Sequence, residues 1–374
     1  MPLHLPNYIH LSSRYTSINQ RRQLANELIH TALHSVDAYA ATTRALRQLE
    51  GQVNLNQCTV IAFGKAALSM ARAAHDQLDI KQGVVHCFES GQLGPLRLVR
   101  SAHPLPAHDA VERGDEVLSL ARSLNADDIA LCLISGGGSA MLERPRSGLS
   151  LSDLSAESAK LMRAGVDIMT LNRRRAELSM IKGGGLAQAL RPAKIINIII
   201  SDTPGAPLET VASGPTLPSD HTLLAADHLT MREAVLRAAP HLRPLDEIVQ
   251  GEARHVGQRL ANLPAGFVAT GETTVTVSGQ GRGGRNHELI LGAIQAWRHT
   301  QRSNGLLLSI GSDGIDGSSD AAGAWCDEVL LQNSPDPSSA LANNDSHQYF
   351  KRVGGQITTG PTGTNVADLI ISLP

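Results

Sequence analysis

Two glycine-rich segments of this 374-residue chain carry the residue types that bind anions. The first reads Ser135-Gly-Gly-Gly-Ser139 and directly follows the apolar run at residues 129–134. Glycines after a buried strand expose backbone N–H groups that a Cβ would keep away from an anion. We predict that this segment binds a carboxylate or a phosphate, with a tight turn in a sheet as the alternative. The predicted ligands are Ser135, Gly136, Gly137, Gly138 and Ser139.

The second segment reads Gly279-Gln-Gly281-Arg-Gly-Gly284 and matches the G-x-G-x-x-G pattern of dinucleotide-binding loops. Arg282 within it and Arg285 directly after it supply more positive charge than a bound dinucleotide needs. Downstream, Asp313-Gly-Ile-Asp316 places two carboxylates three residues apart in a glycine-framed turn, an arrangement suited to a hydrated divalent cation. We predict Asp313 and Asp316 as metal ligands. A dinucleotide site and a simple Asx-turn are the alternatives.

Lysine is rare in this chain, with 6 lysines against 27 arginines. Lys65 and Lys182 lie beside glycines at predicted junctions, where a compact ammonium suits a phosphoryl group or a carboxylate. A solvated surface position is the ordinary alternative. The arginine run that ends at Arg175 precedes Lys182, and arginine forms bidentate contacts with carboxylates. We therefore predict Asn172, Arg175 and Lys182 as substrate ligands, although charge runs are also typical of solvated helix faces.

This set of residues favours one reaction class. Glycine loops, lysines, arginines and aspartates are present, but the chain has no G-x-S-x-G nucleophile elbow, so a hydrolase triad is unsupported. Phosphoryl transfer needs positioning and charge neutralisation rather than a covalent nucleophile.

The elements that position these residues alternate between strand and helix. Apolar runs at Cys58–Phe63 and Lys194–Ile200 end at Gly64-Lys65 and Ser201-Asp202. This alternation predicts a large doubly wound, Rossmann-like parallel sheet in an α/β fold. Ligands bind at the carboxyl ends of such strands, so Lys65, residues 135–139 and Asp202 are expected to converge.

The chain is longer than a single core of roughly 250–300 residues usually allows, which predicts two domains. Pro240, Pro244 and Pro264 mark the junction, and short β-branched runs follow it. We predict an N-terminal arm at 1–20, a first α/β domain at 21–245, a linker at 246–265 and a smaller α/β domain at 266–374.

Bulk properties exclude several classes of protein. A net charge of −2 and an aromatic content of 3% argue against nucleic-acid and anionic-membrane surfaces. The four cysteines are far apart, so neither a zinc site nor a disulfide framework is indicated. We find neither a signal-peptide pattern nor an apolar run of membrane-spanning length and predict a cytoplasmic protein. The oligomeric state is open, with a homodimer as one possibility.

The motifs, in order, resemble class II glycerate kinases, the glycerate 2-kinases whose C-terminal half is called the MOFRL domain. The resemblance covers about residues 22–373. It implies a MOFRL-type second domain with a mixed sheet. The motifs are Gly64-Lys65-Ala66, Ser101-Ala-His103-Pro104-Leu-Pro106, Ser135-Gly-Gly-Gly-Ser-Ala140, Ser179-Met-Ile-Lys182-Gly-Gly184, Ala212-Ser-Gly-Pro-Thr216, Gly271-Glu-Thr-Thr274, Gly283-Gly-Arg-Asn286 and Thr359-Gly-Pro-Thr-Gly-Thr-Asn365.

The resemblance implies ATP- and Mg²⁺-dependent phosphorylation of the 2-hydroxyl of D-glycerate, in a cleft between the two domains. It places catalytic roles on Lys65 and Arg285, which we predict neutralise the transferring phosphoryl group. Asp202 or Asp313 is expected to hold Mg²⁺ or to accept the hydroxyl proton. Further predicted phosphate ligands are Gly283, Gly284 and Asn286.

Four positions depart from the family pattern and bear on the substrate. Ala107 and Ala206 replace aspartates, Glu177 replaces a histidine and Gly185 replaces an arginine. Family members have also been labelled hydroxypyruvate reductases, so a nicotinamide-dependent reductase is one alternative function. A non-catalytic sensor of sugar acids or nucleotides is another.

Overall fold

The computed structural model describes residues 18–103, 109–166, 168–300 and 305–374. These residues form two compact units. The parallel-sheet unit spans Ala38–Ala226, and the mixed-sheet unit spans Asp227–Pro374 together with the N-terminal segment that ends at Asp37. Most of the predicted arm and the departure at Ala107 lie outside the described residues. Helix α1 (Asn19–Ser35) belongs to the mixed-sheet unit.

The parallel-sheet unit is built on a seven-stranded sheet with the order β3-β4-β2-β1-β5-β6-β7. Only β3 pairs antiparallel, so the predicted doubly wound architecture is confirmed. Strand β1 is buried along its whole length, and β5 and β6 are buried after their first residue, as continuous apolar runs require. The strands are β1 (Cys58–Phe63), β2 (Ile80–Cys87), β3 (Gly91–Leu93), β4 (Leu96–Arg100), β5 (Ile129–Ser135), β6 (Lys194–Ile200) and β7 (His221–Ala226).

The helices of this unit connect the strands and cover the sheet. The sequence has a helical pattern from about residue 22 to residue 49, but the structure divides this stretch into α1 and α2, which belong to different units. Helical periodicity continues across the break, so it did not reveal the break. The helices are α2 (Ala38–Leu49), α3 (Ala67–Gln77), α4 (Ala110–Arg122), α5 (Gly138–Met141), α6 (Leu151–Arg163), α7 (Ile168–Leu178) and α8 (Gly185–Leu190), with a 3₁₀ helix at Leu208–Ser213.

The direction in which the chain adds strands to the sheet reverses between β1 and β5. After β1 the chain builds outward through β2 and β4, and then returns to place β5 on the other side of β1, followed by β6 and β7. Such a reversal opens a crevice at the carboxyl ends of the two central strands, where ligands of doubly wound folds bind. The loops after β1 and β5 form this crevice.

The mixed-sheet unit contains the second sheet, with the order β13-β12-β11-β14-β10-β8 and with β9 also paired to β10. Strand β10 is parallel to β8 and β9, and the other pairs are antiparallel, which confirms the predicted mixed sheet. The elements are β8 (Arg243–Pro244), β9 (Val249–Glu252), β10 (Phe267–Thr274), β11 (Leu306–Gly311), β12 (Gly323–Cys326), β13 (Gln356–Ile357), β14 (Asp368–Leu373), α9 (His228–Ala238), α10 (Ala253–Ala261), α11 (Arg285–Thr300), α12 (Glu328–Asn333), α13 (Ser338–Ala342) and α14 (Ser346–Val353).

The division into units differs from the predicted domain boundaries. Residues 246–265, predicted as a linker, contain β9 and α10, and α10 packs so closely on α11 that a Cβ on Gly257 would lie 1.8 Å from the carbonyl oxygen of Leu289. Helix α1 joins this unit through a buried ion pair between Arg22 and Asp327 at 2.8 Å. Contacts between segments far apart in sequence therefore define this unit. No helix among the described residues has the length and apolar character needed to cross a bilayer.

Candidate active site

The loops after β1 and β5 are locked together in the crevice. The backbone N–H of Lys65 donates to the carbonyl of Gly136 at 2.9 Å, and the N–H of Ala66 donates to Ser135 Oγ at 3.0 Å. Gly64 has a φ of +120°, and a Cβ there would lie 2.4 Å from the carbonyl oxygen of Ser135. Only glycine allows this approach, which fixes Lys65 beside the glycine-rich loop.

The glycine-rich loop at residues 136–139 presents unengaged backbone donors. In the part of the chain that the structure describes, the N–H groups of Gly136, Gly137, Gly138 and Ser139 donate to no protein acceptor. Gly136 and Gly138 are buried. Because buried backbone N–H groups are almost always paired, this cluster is suited to receive an anionic group.

Three ionisable side chains surround two of these glycines. A Cβ placed on Gly136 would lie 1.8 Å from Oδ2 of Asp202. A Cβ on Gly137 would lie 3.0 Å from Cγ of Lys65 and 3.0 Å from Cδ2 of His103. The structure thus brings together Lys65, the loop and Asp202, as expected from their strand-end positions, and adds an imidazole.

Lys65 and His103 form the cationic side of this cluster. Among the described residues, the ammonium of Lys65 makes no ion pair and no hydrogen bond. His103 is exposed, but partial desolvation and the positive charge of Lys65 lower its pKa from the ordinary value. His103 belongs to the motif at residues 101–106 but is not among the predicted site residues. Its position in the motif three residues beyond the end of β4, a parallel strand, was a signal that could have identified it.

A hydroxyl chain extends from the end of the loop. Ser139 Oγ shares a hydrogen bond of 2.9 Å with Ser213 Oγ, which lies 3.3 Å from Oδ1 of Asn172. Ser213 and its neighbours Ala212 and Gly214 have φ values of +64°, +51° and +58°, a left-handed conformation that is strained for residues with a Cβ. The predicted ligand Asn172 therefore joins the loop through Ser213, which we had not assigned a role.

The second predicted basic cluster is engaged elsewhere. Lys182 is buried in an ion pair with Glu143, which also accepts a hydrogen bond from Ser179 Oγ at 2.5 Å. Burial lowers the pKa of Lys182, and the charge of Glu143 opposes this effect. The prediction of Lys182 as a mobile substrate ligand is thus corrected, because its charge is committed to Glu143. Arg175 is half-buried, with its Nε 3.4 Å from Ser158 Oγ.

In the mixed-sheet unit, the loop at residues 278–283 has all six of its backbone N–H groups bound to protein acceptors. Gly283, a predicted phosphate ligand, donates its N–H to Ser318 Oγ at 3.2 Å. None of these six N–H groups is free to donate to a dinucleotide or a phosphate. The prediction of Gly283 as a phosphate ligand is therefore corrected. The other acceptors are Asn344 Oδ1 for Ser278 and Gly279, Asn343 Oδ1 for Gln280, the carbonyl of Asn343 for Gly281 and Asp345 Oδ1 for Arg282.

Asp316 caps helix α11 rather than lying open to a metal. Its buried carboxylate accepts from the backbone N–H groups of Asn286 and His287 at 3.0 and 2.9 Å, and it contacts His287 Nδ1. Burial would raise the pKa of Asp316, but the hydrogen bonds and the charge of His287 lower it overall. Asp313 Oδ1 accepts from the N–H of Ile315 at 3.1 Å, which is the Asx-turn alternative.

The prediction of Asp313 and Asp316 as a pair of metal ligands is therefore corrected. Both carboxylate oxygens of Asp316 already accept hydrogen bonds from backbone N–H groups at the start of α11. A Cβ on Gly284, another predicted phosphate ligand, would lie 2.4 Å from Asp316 Oδ1, so the protein occupies this side of Gly284. Within the described residues, no group of three or more His, Cys, Asp or Glu side chains is arranged to hold a metal ion.

Arg285, at the start of α11, is held in a fixed orientation. Its guanidinium forms a bidentate pair with Asp368 at 2.6 and 2.9 Å and a third contact with Glu272 at 2.8 Å. Asn286 Nδ2 also donates to Asp368, at 3.1 Å. Burial raises the pKa of Asp368 to about 6, so this carboxylate is ionised at neutral pH. The Arg285 side chain is 33% exposed and therefore accessible.

Two family models match successive stretches of the chain, and their bounds differ from those of the compact units. Residues 24–243 match the family described as a domain of unknown function (DUF4147), and residues 265–368 match the MOFRL family. The D-glycerate 2-kinase of Thermotoga maritima is 32% identical, over 94% of this chain and 98% of that protein. A putative hydroxypyruvate reductase of Agrobacterium vitis is 33% identical, over 84% of this chain and 98% of that protein.

A solved structure extends the comparison to the fold. The crystal structure of glycerate kinase from Thermotoga maritima superposes with a TM-score of 0.88 at 31% identity, over 95% of this chain and 99% of that one. The fold and the matched sequence define a two-unit α/β protein of the phosphotransferase class. The chain belongs to the glycerate kinase family with a MOFRL C-terminal half, which confirms the resemblance read from its motifs.

Proposed function

We propose that this protein transfers the γ-phosphoryl group of ATP to the 2-hydroxyl of D-glycerate and so produces 2-phosphoglycerate. The observation that carries the proposal is the set of N–H groups at residues 136–139 beside the side-chain stem of Lys65, with neither these groups nor the Lys65 ammonium paired within the described residues. Phosphoryl transfer needs donors and a cation at this place. The name of the Thermotoga maritima relative supports the choice of acceptor.

The loop and Lys65 act on negative charge. The amides of Gly136 to Ser139 bind the substrate carboxylate or a phosphate oxygen, and the Lys65 ammonium neutralises the charge of the transferring group. The hydroxyls of Ser139 and Ser213, with the amide of Asn172, orient the polar groups of the acceptor. These groups are fixed before the substrate arrives, which lowers the reorganisation needed in the transition state.

Magnesium fits this site as the complex with ATP. Mg²⁺ is usually held by one or two carboxylates together with substrate phosphates, so a cage made entirely of protein ligands is not required. Asp202, whose carboxylate lies against Gly136, is the residue suited to hold it. When bound, the ion neutralises charge on the phosphates.

Arg285 is proposed as the second cation of the reaction. Support comes from the bidentate ion pair that fixes the Arg285 guanidinium against Asp368 and from the exposure of about one third of the Arg285 side chain. A planar guanidinium held in one orientation is the side chain best suited to phosphoryl oxygens. Lys65 belongs to the parallel-sheet unit and Arg285 to the mixed-sheet unit.

A direct assay tests the function. Purified protein is incubated with D-glycerate, ATP and Mg²⁺, and ³¹P NMR follows ADP release and identifies the phosphorylated hydroxyl. We expect 2-phosphoglycerate, and no product when Mg²⁺ is chelated. A parallel reaction contains hydroxypyruvate with NADH or NADPH. Oxidation of nicotinamide without ADP release would replace the kinase with the reductase, whose predicted dinucleotide loop has its amides occupied. Ligand binding without turnover would indicate a sensor.

A further inference from the structure

We infer that His103 is the catalytic base that accepts the proton of the substrate hydroxyl. The inference rests on the proposed kinase function and adds a residue to it. The sequence left this role open between Asp202 and Asp313. The structure holds Asp313 in an Asx-turn of the mixed-sheet unit and places an imidazole beside the glycine-rich loop.

The geometry puts His103 among the reacting groups. Measured from a Cβ position on Gly137, Cδ2 of His103 lies at 3.0 Å, Nε2 at 3.4 Å and Cγ of Lys65 at 3.0 Å. The imidazole and the lysine stem therefore border the same glycine, next to the unengaged amides. No hydrogen bond to either ring nitrogen of His103 is present within the described residues. Among these residues, none thus occupies the ring nitrogen that a substrate hydroxyl would meet.

The electrostatic surroundings keep this imidazole in the form that accepts a proton. Partial burial and the neighbouring Lys65 ammonium both disfavour the imidazolium, and they lower the pKa of His103 from its ordinary value. Asp202 lies over the adjacent Gly136, and its carboxylate is the group suited to Mg²⁺. A neutral imidazole has a ring-nitrogen lone pair that accepts a proton, and histidine is the most frequent general base in enzymes.

The proposed step balances in atoms and electrons. The O–H bond of the acceptor hydroxyl breaks, and its proton moves to the unprotonated ring nitrogen of His103. The oxygen electron pair forms the new bond to the γ-phosphorus. The bond from that phosphorus to the β,γ-bridging oxygen breaks, and its electron pair leaves with ADP. The imidazolium then returns its proton to water, and the Lys65 charge assists this release.

The test compares His103→Gln with His241→Gln, a matched control at an exposed histidine of the mixed-sheet unit. For His103→Gln we expect kcat to fall about 100-fold or more, with an unchanged melting temperature. The KM for ATP should change little. The acid limb of the kcat/KM profile, which reports the base, should disappear. In His103→Ala, added imidazole should restore part of kcat. The control should match the wild type.

A second measurement does not depend on activity. Histidine ¹⁵N NMR titration should give His103 a pKa below the ordinary value near 6.5, and Lys65→Met should raise it. A His103→Gln enzyme with wild-type kcat and an intact acid limb would overturn the inference and leave the kinase proposal standing. A His103 pKa at the ordinary value that stays unchanged in Lys65→Met would also overturn the inference. A wild-type protein inactive on D-glycerate would refute the kinase proposal itself.

Discussion

The two glycine-rich loops look alike in sequence and differ in what their backbone donors do. At residues 136–139 the N–H groups have no protein acceptor among the described residues. At residues 278–283 every N–H group is bound by a side chain or carbonyl of the protein. The second loop matches the dinucleotide pattern more closely and is the less able to bind one. A glycine pattern thus shows that something approaches the backbone closely, but not whether it is a ligand or the protein itself.

The atoms around each glycine make the same distinction. The space beside Gly136 and Gly137 is filled by the ends and stems of Asp202, Lys65 and His103, which are side chains with chemical functions. The space beside Gly279 and Gly281 is filled by the main chain near Asn343, at 2.2 Å and 2.6 Å from the carbonyl oxygen. The first loop is therefore bordered by ionisable side chains, whereas the second loop makes a packing contact between segments.

The largest loss of activity should come from removing Lys65, the cation beside the first loop. We expect Lys65→Ala to reduce kcat about 1,000-fold, because it removes the charge that stabilises the transferring phosphoryl group. Steady-state kinetics with D-glycerate and ATP measure this loss. Lys194→Ala is the matched control, since Lys194 begins β6 at the amino ends of the parallel strands, whereas Lys65 follows the carboxyl end of β1. Equal losses in both variants would contradict a specific role for Lys65.

A smaller loss of activity should follow from crowding the first loop. Gly136→Ala introduces a methyl group where Oδ2 of Asp202 now lies, so the carboxylate must move. A displacement of about 1 Å in an active site can cost about 100-fold in rate, and we expect a loss of that size in kcat. The Mg²⁺ concentration for half-maximal rate should rise, while urea unfolding should change little. A variant that unfolds but retains its specific activity would assign this glycine to packing.

The opposite result is expected for the second loop. Gly281→Ala places a Cβ 2.5 Å from Cβ of Asp345 and 2.6 Å from the carbonyl oxygen of Asn343, and backbone atoms cannot move aside cheaply. Overpacking of this kind should lower the free energy of unfolding by about 3 kcal/mol. Urea denaturation measures the change, and the folded fraction should keep its kcat. A loss of activity at unchanged stability would indicate instead that the second loop binds a ligand.

The strands and their ends were predictable because the signal is local. Buried parallel strands read as apolar runs, so β1, β5 and β6 were found, and the convergence of Lys65 with Asp202 followed from sheet geometry. Partners distant in sequence were not predictable. Glu143 lies 39 residues from Lys182, and His287 lies 29 residues from Asp316, and no local pattern indicates either pair.

The helix cap behind the second loop supplies the smallest effect and the clearest test of the corrected metal assignment. The folded protein lowers the pKa of Asp316, so its carboxylate stabilises the fold above about pH 4, and this contribution is lost as the pH falls below that value. Asp316→Asn should therefore lower the free energy of unfolding by about 1 to 2 kcal/mol at neutral pH, since it weakens the cap and the contact with His287.

The difference between Asp316→Asn and the wild type should shrink as urea melts are repeated toward pH 3, because protonation removes the same charge from the wild type. Its Mg²⁺ requirement should stay that of the wild type, while Asp202→Asn should raise the Mg²⁺ requirement with little change in stability. If Asp316→Asn instead weakened the Mg²⁺ response at constant stability, the turn that begins at Asp313 would be a metal site after all. The contrast between an open first loop and a closed second loop would then fail.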